Sequence, residues 1–186
     1  MDVVALGELL IDFTENGVSG QGNPLFEANP GGAPCNVLAM LSRLGHRTAF
    51  IGKVGNDFFG KQLEDAITEV GIDAAGLLKD DKVHTTLALV HTYPDGDRDF
   101  SFYRNPGADM MLTEEELPEE IIRGAKLFHF GTLSMTHPGV RAATKKAIAV
   151  AKEAGALISF DPNIRKPLWD KTLDRKSGSA GMPRPI

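Results

Sequence analysis

A three-layer α/β fold, a parallel sheet with helices on both faces, is predicted by two features of the chain. Apolar strand-like runs alternate with helical segments along its length. Polar clusters at Asp12, at 55–57 and at 161–165 each follow such a run. In open α/β sheets ligands sit beyond the carboxyl ends of the strands, so these clusters are where a crevice is expected.

Residues 3–11 are nearly all apolar, broken by Gly7 and Glu8, and read as a buried strand with Asp12 just past its C-terminal end. Residues 13–29 turn polar and glycine-rich around Leu25-Phe26-Glu27, too long for a tight connection and therefore a functional excursion. Then comes Pro30-Gly31-Gly32-Ala33-Pro34-Cys35-Asn36. The glycines permit a turn and a close ligand approach. Pro34 has no N–H to lose and suits the first turn of a helix. Apolar residues at 37, 38, 40, 41 and 44 keep the helical period as far as Gly45. Asn36 falls beside unpaired amide donors at the positive end of that helix, a socket for polar oxygens.

Residues 48–54 read as a second core strand, followed by Asp57 as the N-cap of a helix to about Val70, before Gly71. Residues 87–93 and 98–103 flank Pro94-Asp95-Gly96, a hairpin signal. Paired with 13–29, that hairpin would make a small sheet standing off the main body. Thr113-Glu114-Glu115-Glu116 has the form of a capping box, its helix interrupted or restarted at Pro118. Residues 126–130 are a third strand, and 138–154 the most periodic helix, with Val140, Ala143, Ala147, Ile148 and Ala151 on one face. Residues 156–160 are a fourth strand, leading into Asp161-Pro162-Asn163-Ile164-Arg165. The last stretch, 171–186, is rich in Gly, Ser and Pro and reads as a disordered tail.

The chain has 186 residues, 42% hydrophobic and 24% charged, enough for one good core. A net charge of −5 argues against a nucleic-acid or anionic-membrane partner, and no apolar stretch reaches membrane-spanning length. No positively charged leader opens the sequence, so a cytoplasmic location is expected. Cys35 is the only cysteine, which excludes an internal disulfide and a thiolate cluster. It is expected to be a packed small side chain, since no thiolate-stabilising partner can be named. His46, His84, His91, His129 and His137 lack metal-ligand spacing.

Five stretches in order resemble the ribokinase-like (PfkB) sugar kinases, the fructokinases above all. They are Gly7-Glu8-Leu9-Leu10-Ile11-Asp12-Phe13, Gly31-Gly32-Ala33-Pro34-Cys35-Asn36-Val37, Gly52-Lys53-Val54-Gly55-Asn56-Asp57-Phe58-Phe59-Gly60, Phe102-Tyr103-Arg104-Asn105-Pro106-Gly107-Ala108-Asp109 and Asp161-Pro162-Asn163-Ile164-Arg165. The resemblance implies a ribokinase-like fold, with a Rossmann-like αβα body over 1–170 and a small β-sheet lid from about 13–29 and 86–104. It also implies ATP- and Mg²⁺-dependent phosphoryl transfer to a sugar hydroxyl, with fructose as the expected substrate and a homodimer through the lid as a candidate assembly.

By the same resemblance, Asp12 is the sugar-binding aspartate, whose carboxylate can accept from two hydroxyls at once. Gly31, Gly32 and Asn36 are sugar-contacting elements. Arg104, with Phe102 beside it, would face the substrate from the lid, its fork suited to hydroxyls or a carboxylate. Asn163 and Arg165 match an Asp-x-Asn-x-Arg element near the substrate and transferred phosphate, with Arg165 assigned to the phosphate. A 2-keto-3-deoxygluconate kinase is the alternative within the class, since Arg104 and Arg165 could bind a sugar acid. A non-catalytic sugar-binding or lid-mediated interaction fragment is the alternative outside it.

The Gly-Ala-Gly-Asp segment that supplies the family's catalytic base and anion hole does not occur in these 186 residues. The chain is therefore expected to correspond to the N-terminal half of such a kinase, with the C-terminal half and most of the ATP site absent.

Overall fold

In a computed structural model the residues described are 1–93, 98–163 and 168. Five parallel strands form the main sheet in the order β5-β4-β1-β8-β9. These are β1 (Val3–Leu6), β4 (Thr48–Gly55), β5 (Ile72–Asp80), β8 (Leu127–Gly131) and β9 (Leu157–Asp161). Strand β1 is central and buried along its whole length. Its side chains alternate between the two faces, as the period of a strand demands.

Val3 and Ala5 join Phe50, Cys35, Leu38, Leu63 and Ile67 under helices α1 (Ala33–Arg43) and α2 (Phe58–Glu69). Val4 and Leu6 join Ile51, Phe128, Phe130, Val140, Ala143 and Ala147 under α3 (Glu119–Arg123) and α4 (Pro138–Glu153). Three of the largest side chains, Phe50, Phe128 and Phe130, are at most 1% exposed. Burying each contributes about 1.5–3 kcal/mol, so both helical layers are pinned by core contacts as well as by helix propensity. The three-layer αβα body expected from the sequence is present.

A second sheet, in the order β3-β2-β6-β7, stands off this body. It combines the hairpin β2 (Leu10–Val18) with β3 (Pro24–Gly31) and the hairpin β6 (Leu87–Thr92) with β7 (Arg98–Tyr103). The two hairpins join where β2 and β6 run parallel, pairing Asp12 with Ala88. The 13–29 excursion and the 87–103 hairpin thus supply the lid; the turn at 94–97 and the stretch 171–186 lie outside the described residues.

Three expectations are corrected. The apolar run 3–11 is two strands in different sheets rather than one, and Asp12 lies within β2 rather than past a strand end. The chain crosses at Gly7, where a Cβ would sit 2.6 Å from Pro34 Cγ, so the absent side chain lets α1 pack against the crossing. Strand β5 was not expected, because its mixed burial as an edge strand gives no clean alternation. Thr113–Glu116 starts no helix. Glu116 Oε2 does accept from Thr113 N at 3.0 Å, but its Oε1 is drawn 2.6 Å from buried Lys53 Nζ, and the helix begins only after Pro118. Asp57 behaves as expected: Oδ1 accepts from Gly60 N at 2.8 Å and caps α2. No described helix is long and apolar enough to cross a membrane.

Candidate active site

A cavity of about 130 Å³ opens between the lid and the N-terminus of α1. Asp12 on β2, Gly32, Asn36 on α1, Phe102 on β7 and Asn163 beyond β9 all line it. Five sequence-predicted residues from separate parts of the chain therefore meet in one place. Glu8, Leu10, Phe100 and Leu133 complete much of the wall.

The diglycine turn is required sterically. Gly32 has φ 129°, and a Cβ there would lie 2.4 Å from the carbonyl oxygen of Glu8. A Cβ on Gly31 would lie 2.2 Å from Asp12 Oδ2, so Gly31 sits behind the aspartate and gives its carboxylate room, without lining the cavity. Gly32 caps α1 and its carbonyl accepts from Asn36 N at 3.0 Å. Asn36 is left exposed on the first turn, where the helix favours oxygen ligands.

Phe100 and Phe102 are two apart on β7, so they share a face, and their rings stack with centroids 6.0 Å apart. That spacing was legible in the sequence for Phe100 too, although only Phe102 was singled out. Asn163 N donates to Asp161 Oδ1 at 3.0 Å and its carbonyl accepts from Thr132 Oγ1 at 3.2 Å. These backbone bonds hold the residue against the cavity and leave its amide side chain for other work.

Arg104 is placed differently from its expected position. It lies one residue past β7, is 7% exposed and is absent from the cavity wall. Its Nε donates to Asp109 Oδ2 at 2.8 Å, Nη1 to Thr136 Oγ1 at 2.8 Å and Nη2 to the Leu133 carbonyl at 3.2 Å. Thr86 Oγ1 donates to the other carboxylate oxygen of Asp109 at 2.5 Å. The fork therefore holds the loop that carries Leu133 and does not stand open to substrate. Arg165 lies outside the described residues.

The group that sequence reasoning missed is Glu8. It is 4% exposed, and its Oε1 accepts from Ala33 N, the first amide of α1, at 3.0 Å. Burial raises Glu8 to about 7, against the pull of its own backbone amide, the Ala33 amide and Arg104, and with the help of the neighbouring Asp109 charge. A carboxyl inside an otherwise apolar run is the signal that could have marked it, since such a group is buried at a cost. Cys35 is packed as expected, with burial pushing its thiol well up. His129 is a core residue: Nδ1 lies 3.0 Å from Ser159 Oγ, and burial lowers its pKa.

Among the described residues no group of three or more His, Cys, Asp or Glu converges to hold a metal ion.

A small sheet standing over the end of a parallel sheet, with an aspartate and a diglycine helix start lining one cavity, is the arrangement of the ribokinase-like fold. The chain belongs to the pfkB carbohydrate kinase family, whose model matches residues 1–180. It is 51% identical over 169 residues to a probable fructokinase-3 of Arabidopsis thaliana, covering 90% of this chain and 49% of that protein. It is 49% identical over 176 residues to fructokinase-2 of Solanum habrochaites, covering 94% and 54%. The structure superposes on a fructokinase from Xylella fastidiosa with a TM-score of 0.86 at 35% identity, over 91% of this chain and 53% of the other. The same enzyme solved with bound ATP gives 0.85, covering 91% and 54%. The chain spans about half the length of the curated relatives it matches.

Proposed function

We propose that the chain is the sugar-binding part of a cytoplasmic, fructokinase-type kinase that transfers the γ-phosphoryl group of ATP to fructose. The observation that carries this reading is the convergence of Asp12, Gly32, Asn36, Phe102 and Asn163 on one cavity. Identity near 50% to fructokinases supports the sugar, and the ATP-bound neighbour supports the nucleotide.

Within this reading Asp12 accepts hydrogen bonds from sugar hydroxyls, and Asn36 and Asn163 contribute amide donors and acceptors. The stacked Phe100 and Phe102 cover the apolar edge of the ring and exclude water. None of these groups is assigned as the base, and no Gly-Ala-Gly-Asp segment occurs in the sequence. The purified 186-residue chain is therefore expected to show no fructose-dependent ATP consumption in a coupled assay; robust turnover would refute this division of labour. A sugar-acid substrate is disfavoured because Arg104, one of the two cations that reading needs, is engaged by Asp109. Exposed apolar residues on the lid, Val18, Leu25, Phe26 and Tyr103, support a second copy of the chain as its partner there.

Calorimetric titration of D-fructose into the chain tests the binding reading. Asp12→Ala is expected to weaken binding by about ten-fold or more, because an acceptor shared by two hydroxyls is lost. Wild-type and variant heats that coincide would remove the sugar site.

A further inference from the structure

Among the described residues, Glu8 is the buried carboxyl of this cavity wall whose hydrogen bonding is incomplete. Oε1 is occupied by Ala33 N, while Oε2 has no hydrogen-bond partner, although the residue is 4% exposed. A buried polar atom left unmatched is costly, and such exceptions in a native site call for an occupant. The residue faces the same cavity as Asp12.

We propose that Glu8 is a further sugar-binding residue of this site, its Oε2 hydrogen-bonding one hydroxyl of the bound sugar and so helping to determine which sugar fits. The inference rests on the sugar-kinase reading above. A hydroxyl both donates and accepts, so a carboxylic acid at Glu8 adds a donor at a place in the wall that neither the Asp12 acceptor nor the Asn36 and Asn163 amides occupy. The surroundings of Glu8 keep it in that form. Asp109 from the turn after β7 disfavours a further negative charge. Arg104 favours the charge but is spent on Asp109, and Cys35 from α1 is held as the thiol. Burial carries the balance, so the proton is retained to about pH 7. Ionised Glu8 has no hydrogen to give.

The test is fructose titration calorimetry on the 186-residue chain across pH 6 to pH 9, for wild type, Glu8→Gln, Glu8→Leu and Asp12→Ala. Wild-type affinity is expected to be close to its acid-form value at pH 6, about half of it at pH 7, and about ten-fold lower at pH 8 than at pH 6 as the binding-competent acid form is depleted. Glu8→Gln keeps a donor and an acceptor but has no proton to lose, so its affinity should stay within about two-fold of the acid-form value across the range. Glu8→Leu should bind about five-fold more weakly at pH 6. Near-UV circular dichroism establishes folding; if Glu8→Leu does not fold, the contrast between wild type and Glu8→Gln decides. A wild-type profile as flat as that of Glu8→Gln, or a folded Glu8→Leu that binds like wild type, overturns the role of Glu8 alone, provided Asp12→Ala still weakens binding. Wild type that shows no saturable fructose binding at any pH overturns the sugar-cleft reading and this inference with it.

Discussion

Replacing Arg104 by leucine is expected to cost about 3–5 kcal/mol, enough to leave the chain without a cooperative unfolding transition. The side chain and that of Asp109 are each 3% exposed, with Nη2 and Oδ2 2.7 Å apart. Removing the guanidinium strands a carboxylate in a space closed to water, with Thr86 its remaining partner among the described residues. It also frees Thr136 and the Leu133 carbonyl, two anchors of the loop that walls the cavity. Arg104→Lys should recover only part of the loss, since an ammonium cannot reproduce the three-way fork. Urea denaturation followed by circular dichroism measures the effect. A loss below about 1 kcal/mol for the leucine variant would mean that the pair does not brace the loop.

Glu8→Gln should stabilise the chain, and by an amount that depends on pH. Wild-type Glu8 is raised from 4.5 to about 7, so the folded chain holds a proton that the unfolded chain has released. Below pH 4.5 both states are protonated and Glu8 incurs no ionisation penalty. From pH 4.5 to 7 only the unfolded state ionises, so stability falls as pH rises, by about 3 kcal/mol in total. Above pH 7 both states are ionised and the deficit is constant. Glutamine has no such titration, so the gap between variant and wild type should widen through this window and then level. Parallel urea midpoints for the two proteins at pH 4.5, 6 and 8 would show that Glu8 ionises normally. A side chain that lowers stability in this way is kept for what it does in the cavity, which is the trade expected of a functional site.

How far the sequence revealed this structure depended on whether the deciding contacts were local. Asp57, Gly45 and Gly71 marked helix ends correctly because a cap or a left-handed turn is a property of a few consecutive residues. The run 3–11 misled because both β1 and the start of β2 are buried, and a buried strand has no polar face to announce a change of sheet. The box at 113–116 lost its helix to Lys53, a partner 63 residues away from Glu116 that no window on the sequence contains. The same division holds at the site. Motifs named Asp12, Gly32, Asn36, Phe102 and Asn163, and the structure brings these five to one cavity. No motif named the engagement of Arg104 with the 133–136 loop, since those partners lie about thirty residues on. Glu8 was passed over because a single acid in an apolar strand looks like an interruption until its surroundings are known.

Asp12 and Phe102 ride on the small sheet, whereas Gly32 and Asn36 belong to the helix start on the parallel one. A sugar gripped from both sides becomes a tie-rod between two layers, added to the Phe13–Phe59 ring contact, the Gln62–Ala28 hydrogen bond and the Arg104 fork that already join them. Affinity and stiffness of the joint are then one quantity, and a substitution that merely disturbs the packing of Pro34 on the crossing at Gly7 would be felt as weaker sugar binding without any change in the groups that touch the sugar.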